Sequence, residues 1–137
     1  MKLQDLQGDH VAAAYVPGQA TAGTADSWPV FVAPRACTIT GIQWVPAAAV
    51  AGAATNNFAL AAQNAGQAGA GTTALTTTKT YASGTDSVAN DAEDLTLTAT
   101  TADLDLASGD VVKLVRTVNG TGLAMPDGLV RVLFKFR

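Results

Sequence analysis

The chain has 137 residues, of which 48% are apolar and 14% charged, with a net charge of -3; that is one domain's length, enough to bury a single hydrophobic core. Its Lys and Arg are scattered along the chain and outnumbered by Asp and Glu, which excludes the basic patch that grips nucleic acid and has the wrong sign for an anionic membrane surface. No apolar run approaches the length of a membrane span, and the lone cysteine, Cys37, cannot form an intrachain disulfide.

The large apolar residues come in short bursts between stretches of Ala, Gly, Thr, Ser and Asn, the composition of short strands joined by turns. Glu occurs once and Lys rarely, so the surface is neutral and rich in hydroxyls, which suits a protein partly covered in an assembly. The first residues carry no apolar signal core, and synthesis in the cytoplasm without a Sec leader is expected.

In chain order, residues 1–10 are polar and mixed and read as an N-terminal arm. Residues 11–16 (VAAAYV) make a first strand, ended by Pro17-Gly18, and 19–27 read as a flexible loop. The segment 28–34 is a short strand bounded by prolines, which favours a sheet edge or a strand entry. Residues 37–45 (CTITGIQWV) form a stronger strand with apolar groups on both faces, expected to run centrally with both sides covered. Cys37 within it reads as a buried small hydrophobe. Residues 47–56 are a loop. The segment 57–63 alternates with Phe58, Leu60 and Ala62 on one face.

A Gly-rich turn at 64–73 and a Thr-rich extended stretch at 72–81 follow, then a polar loop at 82–94. Leu95, Leu97 and Ala99 alternate with three threonines in the clearest period-two pattern of the chain, which predicts a strand. Residues 111–118 (VVKLVRTV) make a strand ended by Asn119-Gly120. The last strand, 129–137, places Val130, Val132, Phe134 and Phe136 inward and Arg131, Lys135 and Arg137 outward. The pattern predicts an all-β fold: an antiparallel, jelly-roll-like β-sandwich of about eight short strands. Residues 11–137 would form a single domain behind the arm.

Reactive constellations are sparse. The only histidine, His10, is the one base available to Cys37 and lies far from it in sequence. Asp91, Glu93 and Asp94 share one loop and Asp103 and Asp105 another; the alternatives for them are a calcium site, a glycosidase pair or plain solvated loops. Residues 66–73 (GQAGAGTT) match the glycines of a phosphate-binding loop but carry Thr72 where its lysine belongs. Asn119-Gly120-Thr121 fits a glycosylation sequon. Trp28, Trp44, Tyr15 and Tyr81 would make a sugar-stacking platform if they converged; the competing reading puts Trp44 in the core and Trp28 at the sandwich rim or in an interface.

Residues 28–46, 50–58 and 106–114 carry an "F-x-A-P" entry, a Thr-rich strand and an "L-x-x-G-D-x-V" turn. In these the chain resembles small structural proteins of tailed bacteriophages, the group that decorates or cements the capsid or forms the base of a head fibre. The resemblance covers roughly residues 28–60 and 104–136 and implies a jelly-roll-like sandwich that is not an enzyme, with no catalytic residue, cofactor or metal. It implies self-association, as a homotrimer, and the major capsid protein as partner, at the virion surface, with neither nucleic acid nor membrane bound. The arm residues Met1, Lys2, Leu3, Gln4, Asp5 and Leu6 are the expected capsid contact, and Trp28 the expected interface aromatic. A carbohydrate- or receptor-binding module of a phage fibre, and a tail or connector component, are the alternatives.

Overall fold

The computed structural model describes residues 8–137, and these build an all-β sandwich of two antiparallel sheets. The six longer strands are β1 (His10–Val16), β2 (Asp26–Val32), β3 (Cys37–Pro46), β4 (Asn57–Asn64), β9 (Val111–Asn119) and β10 (Gly128–Phe136). Four two-residue strands lie between: β5 (Thr73–Ala74), β6 (Lys79–Thr80), β7 (Glu93–Asp94) and β8 (Asp105–Leu106). One sheet runs β1-β10-β3-β7 with β8 also on β3; the other runs β2-β9-β4-β5 with β6 also on β4.

The pairings β1–β10, β2–β9, β3–β8 and β4–β6 nest inside one another. The chain is thus folded back on itself as one long hairpin and wrapped so that successive arms alternate between sheets. That is the jelly-roll arrangement the strand count suggested. Two of its eight strand positions are each split into a pair of two-residue pieces, which is why ten strands are present among the described residues. The first strand starts at His10, inside the range expected for the arm, and β2 lies at a sheet edge, one of the two positions its prolines favoured.

The core lies between the sheets, built on Ile39, Ile42 and Trp44 of β3, Phe58 and Leu60 of β4, Val112 and Leu114 of β9, and Val130, Val132 and Phe134 of β10. Each strand delivers alternate residues, the consequence of side chains pointing to opposite faces of a pleated strand. At β3 the structure corrects the expectation of two covered faces. Thr40 is an extra residue opposite the Leu133/Phe134 step of β10, and this bulge keeps Cys37 and Ile39 in phase with Ile42 and Trp44. One face of β3 is therefore buried while Thr38, Thr40, Gly41, Gln43 and Val45 look outward. Val30 plays the same part in β2, where a bulge lets both Val30 and Phe31 reach the core.

Two further expectations are corrected. Residues 95–100 form no regular strand, although they alternate most clearly. The Leu95 amide donates to Ile42 in one sheet, while Thr98 donates to Leu75 and Thr96 accepts from Thr77 on the other side of the sandwich. A segment that crosses between sheets meets each partner only briefly, so alternation persists without a ladder. A 3₁₀ turn at Thr101–Leu104 follows and returns the chain to β8. Residues 19–25 are a loop, but not a free one: Gln19 and Met125 exchange both backbone hydrogen bonds, 2.9 Å each.

Gly128 opens β10 where a Cβ would lie 2.3 Å from the Val45 carbonyl oxygen and 2.6 Å from the Trp44 ring. At Gly41 the nearest atom to a Cβ is a Leu133 methyl at 3.4 Å, an ordinary contact. Gly128→Ala should therefore destabilise the fold by about 1–3 kcal/mol through overpacking, and Gly41→Ala by less than about 1 kcal/mol. Urea midpoints of the two variants check this; equal losses would contradict the packing described around Trp44.

Candidate functional site

The groups that carry chemistry in the sequence are mostly engaged within the fold. His10 sits on β1 with its ring 4.6 Å from Phe136 and 5.5 Å from Phe134. Cys37 is fully buried on β3, and β10 runs between β1 and β3. Two strand spacings, about 10 Å, separate base from thiol, and burial pushes the Cys37 thiol up, away from the reactive thiolate. The pair is not assembled.

The acidic residues also diverge. Glu93 and Asp94 are neighbours on β7 and point to opposite faces, Glu93 to Lys79 and Tyr81, Asp94 to the Gln43 amide at 2.9 Å. Asp105 accepts from the Thr38 hydroxyl and faces Arg137. Among the described residues no group of three or more His, Cys, Asp and Glu is arranged to hold a metal ion, and no helix is long and apolar enough to cross a membrane. The Gly-rich segment is a turn that runs from β4 to β5 with no helix behind it, tied to the start of β9 by reciprocal backbone bonds at Ala65 and Gly66. The Asn119 side chain donates to the Asn57 amide oxygen at 2.9 Å.

Two polar clusters hold the sandwich together. Across one end, Glu93 of β7 accepts from the Lys79 ammonium and, at 2.9 Å, from the Tyr81 hydroxyl, which joins the two sheets. Tyr81 is fully buried against Phe58, and burial, reinforced by the adjacent Glu93 charge, raises its hydroxyl far above the ordinary phenolic value. The second cluster was missed from sequence. Arg116 is fully buried on β9, its guanidinium donating to Gln19 and to the Leu123 carbonyl and lying 5.1 Å from the centre of the Phe58 ring. Its desolvation lowers its pKa, opposed by the charge of Asp26. The period-two phase of VVKLVRTV was the available signal, because it puts Arg116 on the same face as Val112 and Leu114.

Of the aromatic residues, Trp44 and Tyr81 are wholly buried, Trp28 is half-buried against the core, and Tyr15 is 67% exposed. They form no common platform. The expected arm contacts Met1, Lys2, Leu3, Gln4, Asp5 and Leu6 lie outside the described residues.

What remains at the surface is the outward face of β1, β10 and β3. Its register sets three rows across the strands: Val11–Leu133–Gly41, Ala13–Arg131–Gln43 and Tyr15–Leu129–Val45. Two of the rows are uncharged and largely apolar, the Tyr15 hydroxyl donating to Asp127 at 3.1 Å, and Val11, Tyr15 and Leu129 are among the exposed large hydrophobics. In the middle row Arg131 donates to Gln43 at 3.0 Å, and Gln43 to Asp94. The outward face of the other sheet is mixed: Lys113, Gln63, Thr117 and Ser27 share it with Val115, Ala61 and the pair Val32–Val111, of which Val32 is exposed. An antiparallel sheet normally keeps its solvent face polar, so the apolar rows mark this face as the candidate contact surface.

No family model matches the chain, and no curated protein does either. Among solved structures, a chain from the structure of the infectious bursal disease virus Gx strain superposes with a TM-score of 0.47 at 12% identity, over 93% of this chain. This chain spans 32% of that one.

The Tyr81 shift fixes an alkaline limit on stability. A phenol held protonated in the fold but free to ionise when unfolded favours the folded state fully below its unfolded value, near 10, and that stability is lost as pH rises above it. Tyr81→Phe should lower stability at pH 7 by about 1 kcal/mol, for the lost hydrogen bond, and flatten the fall between pH 9 and 11. Urea unfolding at a series of pH values measures both; an unchanged slope would show that Tyr81 ionises as readily folded as unfolded. Glu93→Ala leaves Lys79 without its carboxylate in a half-buried site, and a loss of roughly 2–3 kcal/mol is expected in the same assay.

Proposed function

We propose that the chain is a structural protein of a virion, a decoration or cement protein that binds the outside of a phage head and bridges neighbouring capsid subunits. The observation that carries this reading is the outward face of β1, β10 and β3, with two apolar rows on a protein whose reactive groups are turned inward. Such a face has a use when another protein covers it, and its low charge lets it be covered without burying unpaired ions. The jelly-roll topology supports the same reading, since this architecture serves capsid shells among its several roles. So does the resemblance of residues 28–60 and 104–136 to phage decoration and head-fibre proteins.

In this reading the partners are further copies of the chain, arranged about a threefold axis as in a homotrimer or a pair of such trimers, and the major capsid protein; the protein is made in the host cytoplasm and works at the capsid surface. Adhesion needs no catalytic residue and no cofactor. The segment Met1, Lys2, Leu3, Gln4, Asp5 and Leu6 precedes β1 and reaches onto the shell, and Trp28 fills an interface pocket.

Co-sedimentation with empty capsids tests the proposal. The intact chain should pellet with capsids. A truncation lacking residues 1–7 should stay folded and lose most of that binding, and Leu129→Asp should weaken it by introducing a charge into the apolar row. Absence of capsid binding by the intact chain would overturn the proposal, and undiminished binding by both variants would remove the arm and the face from it.

A further inference from the structure

We infer that two copies of this chain pair antiparallel through their β1 strands, about a two-fold axis at Ala13, so that the β1-β10-β3 sheets join into one. The inference goes beyond the shell-binding reading and does not rest on it.

The first argument comes from comparing the sheet edges. Edge strands expose unpaired backbone groups and are ordinarily blunted by prolines, charges, bulges or shortness. At one end of the second sheet, β2 carries Pro29 and the bulge at Val30. The far sides of both sheets end in the two-residue strands β5, β6, β7 and β8. β1 alone lacks such a device. It has seven residues, HVAAAYV, with no proline, Lys, Arg, Asp or Glu, and its register with β10 is continuous. Among the described residues its other side forms no backbone hydrogen bond. Ala12 and Ala14 point toward the core yet stay half-exposed, which shows the rim open beside them.

The second argument is self-complementarity. An isologous contact must match the strand to its own reverse. Antiparallel pairing centred on Ala13 sets Val11 against Tyr15 of the second copy, and Tyr15 against its Val11. Aromatic–β-branched cross-strand pairs of this kind are favourable. The outward rows then run on from one copy to the other. Leu133–Val11 continues into Tyr15–Leu129 of the second copy, giving an unbroken apolar row of four residues, repeated by symmetry. These rows contain exposed apolar residues, Val11 at 52%, Tyr15 at 67% and Leu129 at 37%. Around the axis only alanines meet. The nearest like charges on that face, the two Arg131 side chains, stand three strand spacings apart, about 14 Å, where salt screens them. Any other register of the same strand moves Tyr15 and Val11 out of opposition.

Mass in solution and cross-linking test the pairing. The wild-type assembly should contain an even number of copies: six where the threefold association proposed above also forms, two where it does not. Ala13→Lys places like charges directly opposite each other at the axis and should halve that mass while leaving the melting temperature of the subunit within a few degrees, because Ala13 is exposed. Ala13→Glu should do the same, and an equimolar mixture of the two variants should recover the full mass. Under mild oxidation Ala13→Cys should form a disulfide-linked pair, since facing residues in an antiparallel ladder have Cα atoms about 4.5–5.5 Å apart. Val11→Cys and Tyr15→Cys should each fail to self-link and should link when mixed. Cys37 is fully buried and does not compete. An odd-numbered wild-type assembly, a mass unchanged by Ala13→Lys, or cross-linking by Val11→Cys alone would overturn the inference. Capsid co-sedimentation of Ala13→Lys is read separately: loss of pairing with retained capsid binding keeps this inference and the shell-binding reading distinct.

Discussion

Pairing between the two ends of the chain is the constraint on which the fold depends. β1 has only β10 as neighbour, and β10 also holds β3, so the last strand is the seam between the first and the third. In the facing sheet β9 does the same for β2 and β4. Neither sheet is complete until the C-terminal strands have arrived, because β1 and β2 have no other hydrogen-bonded partner among the described residues. These are non-local contacts, and closing them costs chain entropy before it is repaid by the core. Val130, Val132 and Phe134 of β10 therefore matter twice, as buried area and as the groups that fix its register.

The polar clusters complete what apolar packing leaves open. Strands stacked at about 10 Å need bulky side chains to fill the middle, and toward the ends of this sandwich polar groups take over. The Glu93 carboxylate binds Lys79 of one sheet edge while belonging to the other, and Tyr81 brings a ring into the core with its hydroxyl on the same carboxylate. Arg116 serves the loops instead. It holds Gln19 and Leu123, on either side of the Gln19–Met125 bridge, and Gln19 in turn donates to Asp26. A buried guanidinium is costly unless its hydrogen bonds are made, so the segments that supply the acceptors are held close to it. This accounts for an ordered path through residues whose composition alone reads as flexible.

Strands that carry their own boundaries were legible in the sequence. Pro46 ends β3, Asn119-Gly120 ends β9, and the alternation of β10 gives both its span and its inward face. The bulges were not legible, because an extra residue is defined only against a partner strand: nothing local marks Thr40 or Val30 as the surplus one. Residues 95–100 failed for a related reason. Their alternation records which side chains face inward, not whether one strand lies alongside for long enough to make a ladder. As to the surface, the outward placing of Arg131 and Lys135 follows from the same phase as the inward placing of Val130 and Val132. That phase also sets Leu129 and Leu133 outward, and their meeting with Val11 and Tyr15 exists only once β1 is known to lie against β10.

The two faces of the molecule then follow from one economy of side chains. A sequence with 14% charged residues cannot cover two sheets with ions, and some of its charges, Arg116 and the Glu93 carboxylate, are turned inside the sandwich. The Lys135–Asp9 pair and the Arg137–Asp105 pair stand at one end of the first sheet. The middle of that sheet has a single cation, Arg131, held down by Gln43, with leucine, valine and tyrosine on either side. Alternating strands with so little polar surface would risk indiscriminate sheet-to-sheet association if every edge were open. Three of the four edges are blunted, by proline and a bulge or by strands of only two residues. Open strand backbone is thereby confined to one side of one sheet, the β1 edge, so any edge-to-edge contact has a single place to form.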